Sequence, residues 1–234
     1  MKHIGLIVAA GSGTRVGGDI PKQFMEVGGK PLLFYSLKTM QDSFLDEIIV
    51  VTGEDWIDHV RTEIVAKEGI TKVTHVVKGG SERGSSVYEG LRVIEGPADS
   101  YVYIHDGARP LLTEDILERL KEGVEKNGAV LAAVPCKDTI KVVDTDGTVK
   151  VTPERSALWL AQTPQVFMTS EIKAAYEEAY TEAALSGGFV MTDDASVMEI
   201  FGNRPVKVIM GDYSNIKVTT PGDFETVRLM LGKQ

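Results

Sequence analysis

The chain has 234 residues, 43% of them hydrophobic, and carries a formal net charge of −9 with a pI near 5.0. That acidic balance excludes a broad nucleic-acid-binding surface, so any anionic ligand must meet a local cluster of Arg and Lys. No apolar run approaches the ~20 residues needed to span a bilayer, and Cys136 is the single cysteine, so no intrachain disulfide can form and a cytoplasmic location is expected.

The N-terminal MKHIGLIV lacks the layout of a signal peptide, because its apolar segment is short and reads as a strand over His3–Ala9. That strand breaks into AGSGTRVGGDIPKQF, a loop with Gly11, Gly13, Gly17 and Gly18 and the cations Arg15 and Lys22. Bare backbone N–H groups in such a loop can approach a phosphate closely. The spacing matches neither common fingerprint: the dinucleotide motif needs a glycine one residue before Gly17, and a Walker A loop needs Lys where Asp19 stands. A phosphate-binding loop and an ordinary strand-to-helix loop with solvated charges both remain open on these residues alone.

Downstream, short continuous apolar runs alternate with helical periods. Strands are predicted at Glu47–Thr52, Lys72–Val77, Ser100–Ile104, Ala129–Pro135 and Val206–Met210, with amphipathic stretches at Pro31–Gln41, Trp56–Lys67, Arg83–Ile94 and Thr113–Lys126. This alternation predicts an α/β fold with an open, doubly wound, mainly parallel sheet, whose ligands bind beyond the carboxyl ends of the strands. Ser81-Glu82 and Thr113-Glu114-Asp115 supply helix starts with acidic first turns. The stretch KDTIKVVDTDGTVKV departs from the alternation; Asp146-Gly147 between short β-rich runs predicts a hairpin. We expect one domain over residues 1–234, with 137–155 as a protruding β-arm that docks on a second subunit, because an isolated hairpin has little stability of its own. Helices follow at Ser170–Ala184 and Thr192–Phe201, the latter starting at Thr192-Asp193-Asp194. The chain closes with a short strand in NIKV and a helix capped by Thr220-Pro221.

Four motifs now stand in order: AAGSGTRVGGDIPKQF, GGSERGSSV, HDGARP and NIKVTTPGD, joined by LWLAQTPQVF and TDDAS. As an ordered set they resemble the 2-C-methyl-D-erythritol 4-phosphate cytidylyltransferases of non-mevalonate isoprenoid synthesis, over essentially the whole chain. The resemblance implies a Rossmann-like nucleotidyltransferase that uses CTP and Mg²⁺, works as a homodimer and binds neither nucleic acid nor membrane. It implies that Arg15, Lys22, Arg155 and Lys217 are catalytic. Ala10, Gly11, Gly13, Gly80, Ser81, Ser86, Asp106 and Ala108 would bind the nucleotide, with Asp106 meeting the ribose or the metal. Thr139, Arg155, Thr163 and Lys217 would bind the acceptor.

Several positions depart from the family pattern. Ser81 and Ser214 stand where many relatives have Asp, and Gly107 replaces an Ala. The remaining features have plainer readings: Arg83 braces a loop through a salt bridge, Arg109 supports the site electrostatically and His105 supports a strand end. Asp193 and Asp194 cap a helix, while Trp56 and Cys136 pack. Two alternatives share parts of the pattern. A ribitol 5-phosphate cytidylyltransferase has the PKQF, TPQ and NIKVTTP elements, but LWLAQTPQ and TDDASVME favour the methylerythritol enzyme. A non-catalytic CTP sensor would not need the acceptor cations Arg155 and Lys217.

Overall fold

A computed structural model of the chain describes residues 1–11, 20–95, 97, 99–181 and 190–232. Its centre is a sheet of seven strands: β1 (His3–Ala9), β2 (Glu47–Thr52), β3 (Val73–Lys78), β4 (Tyr101–Asp106), β5 (Ala129–Pro135), β6 (Trp159–Met168) and β7 (Lys207–Met210). Their order is β7-β5-β6-β4-β1-β2-β3. Six strands run parallel, and β6 lies antiparallel between β4 and β5. The doubly wound expectation therefore holds, and the chain switches direction across the sheet between β1 and β4.

The helices are α1 (Leu32–Asp42), α2 (Arg83–Arg92), α3 (Glu114–Asn127), α4 (Thr169–Ala179), α5 (Asp194–Phe201) and α6 (Pro221–Leu231). Alternate residues of β1 feed opposite layers, as the two-residue period of a strand requires. Ile7 packs with Leu33 and Leu37 of α1 and Leu117 and Leu120 of α3. Ile4 and Leu6 pack with Val87 and Leu91 of α2, Tyr176 of α4 and Val197 of α5. Each such fully buried aliphatic side chain contributes about 2 kcal/mol relative to exposure. Gly90 lets α2 sit directly on the sheet, since a Cβ there would run into Leu6 and Val51. Residues Ile216, Val218 and Val227 join α6 to Leu32 and Leu111 in a smaller cluster.

Three local expectations need correction. The stretch Trp56–Lys67 is helical but winds mostly as a π-helix over Val60–Ala66, closed by Lys67 N–H donating to Thr62 at 3.2 Å. No strand forms at NIKV; Asn215 and Val218 bond to Thr163 and Ala108, so this segment wraps the strand ends rather than extending the sheet. The third concerns β6, which strand patterning did not reveal. Pro164 interrupts its run, and a proline in a sequence argues against a central strand. In the fold the Thr163–Pro164 peptide is cis and the register with β5 shifts between Ala161 and Gln165. Around the DTDG turn, Val142–Val143 pairs with Val149–Val151 and Gly147 adopts φ 86°.

Candidate active site

The carboxyl ends of β1 and β4, at the switch point of the sheet, open onto a cleft of about 280 Å³. This is where an open α/β sheet binds ligands. Ala10, Gly11, Lys22, Gly80, Ser81, Ser86, Asp106, Ala108 and Lys217, all singled out from the sequence, line it. Gly13 and Arg15 lie outside the described residues. Gln23, which the sequence reading passed over, holds the rim of the cleft: its buried amide donates to the carbonyls of Ala9 at 2.6 Å and Gly11 at 2.9 Å. Opposite, Glu82 caps α2 through a capping box with Ser85. A Cβ on Gly80 would collide with Ser85, so only glycine keeps the chain this close to the helix start.

Asp106 ends β4 with 6% of its surface exposed. Arg83 Nε donates to its Oδ1 at 2.8 Å and Lys217 Nζ to its Oδ2 at 2.6 Å. Burial alone would raise this carboxyl, but Arg83 and Lys217 outweigh it and hold Asp106 well below the usual carboxylate range. Arg83 in turn grips Asp194 with both terminal nitrogens, at 3.0 and 2.8 Å, and Tyr176 donates to the same carboxylate at 2.6 Å. Burial opposes charge on Arg83, yet Asp194 and Asp106 keep it firmly protonated. The expected brace is therefore present, and Asp194 does more than end a helix: Asp193 is the cap of α5, while the fully buried Asp194 anchors the ion network.

Lys22 reaches the same region, donating to the Val218 carbonyl at 2.6 Å, one residue from Lys217. Lys22 and Lys217 thus both line the cleft, brought together by segments far apart in the sequence.

A second cavity of about 340 Å³ adjoins the first and shares Arg83, Asp106 and Lys217 with it. Thr163 lines this cavity, as do Arg109 and Asp193. The Thr163 hydroxyl accepts from the Asp106 backbone N–H at 3.0 Å and sits 3.1 Å from His105 Nδ1. His105 is fully buried, and burial lowers its ring to about 4. It serves the strand end, as expected, and so does Arg109, whose guanidinium donates to the Asn215 carbonyl at 2.6 Å. Trp56 stacks on Phe24 at 4.4 Å, and Cys136 is buried with its thiol on the Asp138 carbonyl, so both pack. Ser214 donates to Asp212 and lines neither cavity.

Thr139 and Arg155 are exposed and line neither cavity within the single chain; Arg155 donates to the Lys137 carbonyl at the base of the 142–151 ribbon. No helix among the described residues is long and apolar enough to cross a membrane.

Comparison with known proteins agrees with this geometry. Residues 4–233 match the family described as 2-C-methyl-D-erythritol 4-phosphate cytidylyltransferase. Proteins of that name from Lachnospira eligens and Geotalea uraniireducens are 44% and 47% identical, with 97% and 95% of this chain and 97% and 94% of theirs covered. The crystal structure of 4-diphosphocytidyl-2C-methyl-D-erythritol synthase from Anaerococcus prevotii superposes with a TM-score of 0.85 at 35% identity, covering 99% of this chain and 96% of that one. The 2-C-methyl-D-erythritol 4-phosphate cytidylyltransferase of Francisella tularensis gives 0.78 at 31% identity, over 98% and 99% of the two chains. The chain belongs to the 2-C-methyl-D-erythritol 4-phosphate cytidylyltransferase family of nucleotidyltransferase enzymes.

Proposed function

We infer that this chain transfers the cytidylyl group of CTP to 2-C-methyl-D-erythritol 4-phosphate, releasing pyrophosphate, in isoprenoid synthesis. The observation that carries the reading is Asp106, an ionised carboxylate between Arg83 and Lys217 at the junction of two polar cavities. The first cavity supplies glycine backbone and Lys22 for a nucleoside triphosphate. The second leaves room for a compact acceptor beside Lys217.

A phosphate monoester has a second pKa of about 6 and is mostly dianionic at neutral pH. Its oxygen attacks the α-phosphorus directly, the bond to the β-phosphate breaks and pyrophosphate leaves with the electron pair. No protein base is required. The obstacle is the meeting of two anions, so the work of the chain is positioning and charge stabilisation. Lys22 and Lys217, with Arg15 of the glycine loop, supply the positive charge around the reacting phosphorus. Gly80 and Ser81 face the base, Ser86 the triphosphate and Ala108 the ribose.

Mg²⁺ suits this donor set. It demands few protein ligands and keeps water and substrate phosphate. Asp106 would hold it, because each of its oxygens accepts one charged hydrogen bond and retains a lone pair. When bound, the ion supplies neutralisation of the triphosphate's charge.

Thr139 and Arg155 complete the acceptor site if the ribbon crosses to a second copy. Val142, Val143, Val149 and Val151 are 43–54% exposed along it, with Trp159 and Leu160 beside its base, an apolar surface suited to burial in a homodimer. We place this enzyme in the cytoplasm.

The deciding assay is pyrophosphate release from CTP with each acceptor in turn. Faster turnover with ribitol 5-phosphate would sink the acceptor assignment and keep the reaction class.

A further inference from the structure

Lys22 stands on a single turn, and the anchors of that turn decide where its ammonium can reach. Residues Lys22–Phe24 form a 3-10 helix, closed by the Phe24 N–H on the Pro21 carbonyl at 2.9 Å and the Met25 N–H on the Lys22 carbonyl at 3.1 Å. With three residues per turn, successive side chains leave in three directions. Lys22 goes to the cleft, Gln23 to the carbonyls of Ala9 and Gly11, and the buried Phe24 to a pair of rings beyond the end of β2. Trp56 stacks on Phe24 with centroids 4.4 Å apart and planes 19° from parallel. His59 stands nearly edge-on to both, at 5.3 Å and 89° to Trp56 and at 5.5 Å and 79° to Phe24. Stacked and edge-to-face pairs are the favoured aromatic arrangements, and together they hold the Phe24 ring both across and along its plane. Trp56 is itself tied to the end of β2, its N–H donating to the Gly53 carbonyl at 3.0 Å. The π-winding of Val60–Ala66 starts at the residue after His59, and such wide turns are rare and concentrate at functional sites. Yet neither Trp56 nor His59 lines either cavity.

We propose that Trp56 is a positioning residue for Lys22: with His59 it clamps Phe24, and the clamped ring fixes the turn from which the ammonium enters the cleft. Gln23 ties this turn to the end of β1 by hydrogen bonds, and Phe24 ties it to the end of β2 by stacking. Two neighbouring strands of the sheet thus aim the lysine jointly. An aliphatic side chain at position 56 would fill much of the same space but offer no flat face. Phe24 could then rotate and slide, and a small tilt of the turn grows along the flexible Lys22 stem. A misplacement of about 1 Å from a residue remote from the chemistry costs a rate factor on the order of 10². The work given to Lys22 rests on the cytidylyl-transfer reading, whereas the clamp rests on ring geometry alone.

Two measurements separate those halves. Hydrogen exchange of the full chain without ligand reads the clamp. Trp56→Leu should speed exchange of the Phe24 and Met25 amides by about 10-fold, the size expected for loss of an aromatic pair, while the β1 amides keep their wild-type protection. Equal loss of protection in β1, or no change at Phe24 and Met25, overturns the proposal. Trp56→Phe, which keeps a stacking face, should restore most of the protection. Should Trp56→Leu fail to fold, His59→Ala, which removes only the edge-on contacts, takes its place with a smaller shift at the same two amides. In steady state, Trp56→Leu should lower kcat by about 10- to 100-fold with the KM for CTP little changed, and Trp56→Phe should recover most of that loss. In a Lys22→Ala background the further loss from Trp56→Leu should vanish, because Trp56 acts only through Lys22; losses that multiply overturn the proposal. A wild-type chain with the expected exchange pattern but no turnover of CTP with the methylerythritol phosphate supports the clamp and overturns the functional reading of the site. Normal wild-type turnover with unchanged exchange in Trp56→Leu does the reverse.

Discussion

Acid should weaken this fold in a way that traces to one ring. Burial lowers His105 to about 4, against an ordinary value of 6.5. Between those limits the unfolded chain binds a proton that the folded chain refuses, so the contribution to stability is complete above pH 6.5 and is lost as pH falls towards 4. A window about 2.5 pH units wide at about 1.36 kcal/mol per unit gives a loss of about 3 kcal/mol. Asp106 contributes little in this window, because its stability is complete above the ordinary Asp value and begins to fall away only as pH approaches that value. His3 is also lowered by burial and loses stability in the same direction. The measurement is therefore a difference: urea unfolding of wild type and His105→Gln at steps from pH 7.5 to about 4.5, without nucleotide or metal, where the His3 part cancels. The wild-type advantage should shrink by about 2–3 kcal/mol over that range. An advantage that stays flat with pH would refute the reasoning and mean that His105 is either protonated or solvated in the folded protein.

Lys22→Ala should depress kcat by about 10²–10³-fold with a smaller change in CTP binding, as for loss of a preorganised charge at a transition state; equal loss of CTP affinity with kcat intact would make Lys22 a ground-state binder. Asp194→Asn should cost about 3–5 kcal/mol in chemical denaturation, because it leaves Arg83 with one carboxylate instead of two in a largely buried setting; a change under about 1 kcal/mol, the range of exposed pairs, would show that water reaches the network. Leu6→Ala should lose about 2–5 kcal/mol, since Leu6 is fully buried under Val87 and Leu91. If the site is shared between two copies, as proposed, mixing the inactive Lys22→Ala and Arg155→Ala chains should recover activity, as one site per mixed pair would be intact; full exchange without recovery would place Arg155 in its own chain's site.

Hydrophobic period is a local property, and it sufficed for what depends on local pattern. The continuous runs at His3–Ala9, Glu47–Thr52 and Ala129–Pro135 became buried parallel strands at the predicted limits, because side chains on both faces of such strands must be apolar. Caps at Thr113, Asp193 and Thr220 were legible for the same reason: each satisfies donors within its own first turn. The ordered motifs likewise located Gly80, Ser81, Asp106 and Lys217, which all face one cleft. Strand β6 was not legible, since Pro164 masks its pattern and only the neighbours β4 and β5 supply the pairing that makes it a strand. Its insertion sets Thr163 against Asp106 across 57 residues of sequence. Arg83 meets Asp194 across 111 residues, and Lys22 meets Val218 across 196. No spacing rule predicts such pairs. Whether a charge ends in water or against a buried counter-charge depends on the desolvation and distance that packing imposes, so the sequence determined which groups were available and the tertiary structure decided which of them act together.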